Sequence, residues 1–359
     1  MKNRLHIVIL TVLVALWGCT RVELDPVPGK KVTFSVGSYV PQTRAVSLDS
    51  EGITSFSSKG FLYAEGVSGV QDFFGAAGET IAYDATTPEW APSHDYYWPK
   101  AASSYVNFVS WHDAGAGPTT ATETSLVWSN RTIGADDNIL VADVAWRYKD
   151  NTINAAQYTG DAILTGVPVL FHHMLSRVGI NVAAAPLTDP ANSSTTYSVQ
   201  IQSISLNSVY SQGTMSLTNS DPGTEATTRA WTPANATYFW DRQGTAGSIG
   251  MTASTLTETP APALAQRSML PQPLNETSLD FVYTVVTYSN GTEIIREHDI
   301  PASIKLNTIK NSSDLAITQW LPNRIYTYNI IIDPRGNEIR LAPVLESDWS
   351  VIGVSATVE

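Results

Sequence analysis

The sequence is short of cysteine, of charge and of long apolar runs. One cysteine, Cys19, serves 359 residues. A lone thiol closes no internal disulfide and builds no thiolate metal cluster, so the fold must be held by its core. Charged residues make up 15% of the chain against 43% apolar ones, which pairs a sizeable core with a neutral, polar surface. Positive charge is the scarcer sign: 21 Lys and Arg stand against 33 Asp and Glu, a formal net charge of −12. Such a chain repels phosphate backbones, and no basic cluster offsets this, so the sequence argues against nucleic acid as a partner. The strongest apolar run, Leu5 to Trp17, falls short of the about 20 residues a membrane-spanning helix needs. Helix signals are scarce. Gly-x-Ser-x-Gly, His-Glu-x-x-His and phosphate-loop patterns are missing, and nothing singles out a carboxylate pair for glycoside hydrolysis. The expectation is a protein without catalytic residues, metal or cofactor.

What is present begins at the amino terminus. Lys2 and Arg4 precede the apolar run, which closes on Leu16-Trp17-Gly18-Cys19. A basic start followed by a short apolar stretch is a secretory signal. Its end resembles a bacterial lipobox, with an aliphatic residue three positions before Cys and a small one directly before it. Trp17 departs from that pattern, where a small residue is usual. The resemblance implies cleavage after Gly18 and acylation of Cys19, with acyl chains contributing ~0.8 kcal/mol per buried methylene. Thr20 in place of Asp favours the outer membrane. The alternative is an ordinary secretory signal with an incidental cysteine. Residues 1–18 are thus read as a signal peptide and 19–31 as a polar tether.

Strand signals fill the rest. In "VTFSVGSYV", Val32, Phe34 and Val36 share one face, the mark of a half-buried strand. The following "PQTRAVSLDSEG" has no periodicity and is expected to be exposed and flexible. "YVNFVSW", from Tyr105, is apolar on both faces, as a central strand requires. "PVLFHHMLSRVGINVAAAP" reads as one long strand, and the segment from Tyr197 changes phase after Ile201, as a bulge would make it. Residues 219–275, rich in Thr, Ala, Gly and Pro, predict only short strand fragments. Asn290-Gly291 between two β-rich runs predicts a hairpin with a type I′ turn, and a second hairpin turns at Asp333 to Asn337. The fold class is all-β: two β-sandwich domains in series, residues 32–165 and 166–359.

Several segments together resemble the fimbrillin family of Bacteroidetes, the subunits and accessory proteins of type V pili. They are Cys19, "PQTRA" after an early strand, "YYWP" followed by "YVNFVSW", "DDNILVAD", "FHHMLSRVGINV", "LPQPL" and "WLPNRIYTYNIII". Their order and spacing carry the resemblance. It implies transthyretin-like sandwiches and a lipoprotein precursor carried to the outer membrane. A trypsin-like protease would cut between Arg44 and Ala45. Loss of the strand bearing Val32, Phe34 and Val36 would then open a groove for a strand of a neighbouring subunit. Partners would be other pilin subunits, the membrane lipid, and a host or bacterial surface ligand. The tail "IGVSATVE" alternates Ile352, Val354, Ala356 and Val358 on one face, which makes it the candidate donor strand. The bland alternatives stay open: Arg44 is merely a loop residue of a lipidated anchor or tip subunit, and the tail is the last strand of its own domain. A different class, a glycan-binding surface lipoprotein of a polysaccharide-uptake system, also fits the composition.

Remaining constellations are weak. His172-His173 in an alternating strand point to opposite faces and cannot chelate one metal. Asp136, Asp137 and Asp143 match no EF-hand spacing. The ten Trp suit either sugar-stacking platforms or core packing, and in an all-β chain core packing is the commoner use.

Overall fold

The computed structural model describes residues 31–36, 53–87, 89–101, 103–148, 166–169, 171–218, 228–234, 237–241 and 254–349. The expectations at Cys19, Arg44, Ala45, Ile352, Val354, Ala356 and Val358 lie outside them, as does the side chain of Val36. The described chain is all-β, with four sheets and, as its one helical element, a single 3-10 turn at Leu306–Thr308. Among the described residues no helix is long and apolar enough to cross a membrane.

The first sheet has ten strands. Its main path runs Val167–Val169, Phe34–Val36, Glu89–Pro92, Glu79–Asp84, Ser55–Tyr63, Tyr105–Asp113, Ile139–Ala142, Phe171–His173. In a flat sheet, Phe34 and Phe108 would lie about 19 Å apart, four strand spacings of ~4.8 Å. Their ring centroids are 5.4 Å apart, edge to face. The sheet is therefore rolled around a core that holds Val32, Phe34, Phe56, Ile81, Trp90, Val106 and Phe108. The two ends of the strand order are also neighbours in the chain, since one residue separates Val169 from Phe171. We call this junction the seam.

Tyr105–Asp113 is central, as its two apolar faces require. It pairs with Ser55–Tyr63 on one side and with Ile139–Ala142 and Ala145–Tyr148 on the other. Val106 and Phe108 point into the roll, while Val109 and Trp111 enter a second cluster with Leu126, Trp128, Met215 and Leu217. The latter four belong to a four-stranded sheet of Thr120–Ala121, Ser125–Thr132, Gln212–Thr218 and Thr228–Pro233, which draws strands from both sides of position 165.

The remaining two sheets face each other. One contains Ala261–Met269, Ser176–Ala184, Arg324–Asp333 and Glu338–Leu341, with Leu345–Asp348 also on Arg324–Asp333. The other is built on Asn192–Tyr210, Ser278–Ser289 and Thr292–Lys305. Val178, Ile180, Tyr328 and Ile330 meet Val199, Ile201, Leu206 and Tyr283 in the core between them. The phase change after Ile201 is a bulge: Ile201 pairs with Tyr283 and Ser203 with Val282, which leaves Gln202 extra. The extra residue keeps Val199, Ile201, Ile204 and Leu206 all buried despite their irregular spacing. At the first hairpin Asn290 and Gly291 have φ of 49° and 79° and Ser289 pairs with Thr292, as a type I′ turn demands.

Two expectations fail. The run from Pro168 is three strands, not one: Val167–Val169, Phe171–His173 and Ser176–Ala184. All three are largely buried, so the apolar signal is continuous, but each joins different neighbours. Within 219–275, Ala261–Met269 is a nine-residue strand rather than a fragment. Its Ala and Pro content hides it, and pairing along Ser176–Ala184 overrides that local preference.

Asp333 locks the second hairpin. Its carboxylate, almost fully buried, accepts bonds from the Arg335 backbone at 3.1 Å and from its guanidinium at 2.7 and 3.0 Å, and also pairs with Arg340. Hydrogen bonding by Arg335 outweighs desolvation and holds the Asp333 pKa at about 2. A depressed carboxylate pKa stabilises the fold above the unfolded value, near 4, and that contribution is lost as pH falls through the folded value. Asp333→Asn should therefore cost about 1–2 kcal/mol at pH 6 and much less at pH 2. Urea midpoints of both proteins at the two pH values check this; an equal loss at both would contradict it.

Candidate functional site at the seam

The strand whose removal the family resemblance implies is Phe34–Val36, and it sits at the seam. It runs parallel to Val167–Val169, with Phe34 opposite Val167 and Val36 opposite Val169. On its other side it touches Glu89–Pro92 through one pairing, Phe34 with Trp90. Beyond these ladders, the Val32 N–H donates to the Tyr96 carbonyl at 2.8 Å, the Val167 N–H donates to the Thr33 carbonyl at 2.7 Å, and Lys31 bridges Tyr97. An exposed ion pair, Lys31 to Asp95 at 2.8 Å, marks its entry and adds little.

Side chains hold it more firmly. Val32 is 2% exposed and Phe34 3%. Phe34 meets Phe56 and Phe108 edge to face at 5.9 and 5.4 Å, and Phe74 at 6.4 Å. Burying two such side chains contributes about 1.5–3 kcal/mol each. Taking the strand out would expose an apolar, aromatic-floored groove. Gly166 lets the strands close: a Cβ there would lie 2.8 Å from the Thr33 carbonyl oxygen and 3.0 Å from the Phe34 carbonyl carbon, and its φ is +129°. The seat is not fully optimised, because the buried Trp90 Nε1 has no protein hydrogen-bond partner, an omission that costs about 1–3 kcal/mol.

Below the strand's entry, Glu79 collects Ser93, His94 at 2.9 Å, the Thr80 N–H and the Tyr96 hydroxyl at 2.8 Å. Burial opposes its ionisation, but these donors outweigh it and hold its pKa below the ordinary carboxylate value. Burial, followed by the Glu79 contact, pushes Tyr96 up to about 12. The carboxylate thus fixes the residue whose carbonyl receives the Val32 N–H.

The other end of the described chain also meets this region. Trp349, 3% exposed, stacks on His173 at 3.8 Å and 10°. The Arg177 guanidinium lies 5.0 Å from its ring. Asn323 binds both partners: its carbonyl accepts the Trp349 N–H at 2.9 Å, its side-chain oxygen accepts the His173 N–H at 3.3 Å, and its own N–H donates to the Leu175 carbonyl at 3.0 Å. Trp349 was not foreseen as an anchor. Neighbouring "ESD" and "SVIG" are polar and apolar in turn, and no periodicity flags a lone Trp between them.

Residues 43–349 match the model of a protein family described as Fimbrillin-like. The chain belongs to the fimbrillin-like family. Among solved structures, a fimbrial protein from Bacteroides vulgatus ATCC 8482 is 12% identical, with 90% of this chain and 100% of that one covered and a TM-score of 0.49. A fimbrilin from Porphyromonas gingivalis W83 is 11% identical, with 90% and 98% covered and a TM-score of 0.40. No curated protein gives a significant match.

Other candidate groups of this fimbrillin prove separate. His173 is buried, with Nδ1 2.8 Å from the Asn138 side-chain oxygen, while His172 faces Asp143 at 3.1 Å. Asp143 also pairs with Arg229, whereas Asp137 binds the Gly134 N–H and Arg131. The three aspartates therefore do not form one cation loop. Among the described residues no group of three or more His, Cys, Asp or Glu is placed to hold a metal. Trp90, Trp111, Trp128, Trp320 and Trp349 are buried in the cores, and so offer no platform for a sugar.

Proposed function

We propose that this fimbrillin is a structural or accessory subunit of a type V pilus. It is exported as an outer-membrane lipoprotein, assembled by donor-strand exchange, and serves cell adhesion. Residues 1–18 direct export and Cys19 carries the acyl chains. Residues 19–31 tether two sandwich domains. Cleavage between Arg44 and Ala45 detaches the strand of Val32, Phe34 and Val36. The tail of another subunit, with Ile352, Val354, Ala356 and Val358 on its apolar face, then fills the vacated groove. The role is mechanical, and no catalytic residue, metal or cofactor is assigned. Partners are other pilin subunits, the outer-membrane lipid, and a surface ligand of the host or of another bacterium.

One observation carries this reading. The first strand is a short plug, three residues long, held by buried Val32 and Phe34 in an aromatic-floored seat. A strand of matching alternation from elsewhere meets the same requirements. Mature protein should therefore run as a ladder in detergent gels that collapses on boiling. A strictly monomeric protein with stoichiometric glycan binding would instead favour a polysaccharide-uptake lipoprotein. Cys19→Ser should abolish palmitate labelling and release the protein from the membrane fraction. Continued labelling and membrane retention would contradict the anchor.

A further inference from the structure

The geometry points to a mechanical latch: the first strand, while seated, keeps Trp349 stacked on His173, and its departure releases Trp349 from that stack. The biological consequence rests on the strand-exchange reading, in which the proposed donor follows Trp349 in the sequence. A subunit would then offer its tail only after its own seat has opened, which suppresses polymerisation of uncut precursor.

Two physical routes join the ends. The first is the backbone. Val167–Val169 has Phe34–Val36 as its one strand partner among the described residues. Removing the first strand leaves Val167–Val169 without a ladder, and one residue later begins Phe171–His173. Among the described residues that short strand has Ile139–Ala142 as its one strand partner. The second route is aromatic. Phe34 meets Phe56 at 5.9 Å, and Phe56 meets Phe171 edge to face at 5.2 Å. Emptying the seat therefore removes a neighbour from the ring that supports Phe171, two residues before His173. His173 is one face of the stack on Trp349, and Asn323 ties both backbones together. A shift of residues 167–173 thus reaches Trp349 through covalent neighbours and one stacked pair. A side-chain stack at 3.8 Å cannot follow such a shift gradually, because packed interiors rearrange between discrete arrangements.

Amide hydrogen exchange on the full chain tests this. Two variants unseat the first strand by different means: Gly166→Val, whose side chain collides with Thr33 and Phe34, and Phe34→Asp, which places a charge in the apolar seat. A third, His173→Ala, opens the stack directly. In each, the Trp349 amide, bound to the Asn323 carbonyl, should exchange at least tenfold faster than in the unaltered protein. Amides of Ser278–Ser289 should stay protected, showing that the C-terminal sandwich is intact. Faster exchange at Val32 in either unseating variant, with Trp349 unchanged, would overturn the latch. Polymerisation is read separately from detergent ladders of cut, unaltered protein. A ladder without deprotection of Trp349 keeps strand exchange and overturns the latch. Deprotection without a ladder keeps the latch and overturns strand exchange.

Discussion

Phe34→Ala should destabilise the rolled sheet by about 3–5 kcal/mol, the range for emptying a buried aromatic site. Phe34 is 3% exposed and touches three other Phe rings, so its neighbours are large, stiff and poorly able to close the cavity. The loss should be local. Urea unfolding followed by amide exchange would show Val106 and Phe108, in the same core, deprotecting earlier, while Val199 and Phe281 in the C-terminal sandwich keep their midpoint. In cut protein the same substitution should speed loss of the first strand by about a hundredfold or more, at ~1.4 kcal/mol per factor of ten. A loss below about 1 kcal/mol would mean that Phe34 contributes little to the seat, against the range expected for such a site.

Ile352→Asp should abolish assembly. In the strand-exchange reading, Ile352 enters the groove of the next subunit, and an unpaired charge in an apolar groove costs several kcal/mol. The monomer should keep its melting temperature, because in that reading the tail packs into the neighbour's groove and not into its own core. Gel ladders and thermal unfolding of the same preparation separate the outcomes. Unfolding of the monomer would assign the tail to its own core. Normal stability with normal ladders would remove Ile352 from the donor strand.

Much of the fold was legible because burial writes a local pattern. Val32 and Phe34 alternate and are both buried; the turn at Asn290-Gly291 needs two positive φ values, which that pair tolerates best; the phase change after Ile201 marks a bulge. Pairing partners left no such trace. Apolar residues run from Val167 to Ala184, yet the chain breaks there to serve two ends of one sheet and the middle of another. Ser125–Thr132 pairs with Gln212–Thr218 across a long separation that one sequence cannot display. At the seam, alternation makes the first strand legible, while its removal is implied by family resemblance alone. Its parallel partner Val167–Val169, the close approach at Gly166 and the Trp349 stack depend on tertiary contacts alone.

In the strand-exchange reading, assembled subunits have lost their own first strand. N-terminal sequencing of boiled-apart polymers, with mass spectrometry of any retained peptide, distinguishes the possibilities. Subunits should begin at Ala45, with no fragment carrying Val32 and Phe34. Polymers whose subunits still begin at acylated Cys19 would contradict that reading, because each seat would then hold its own strand.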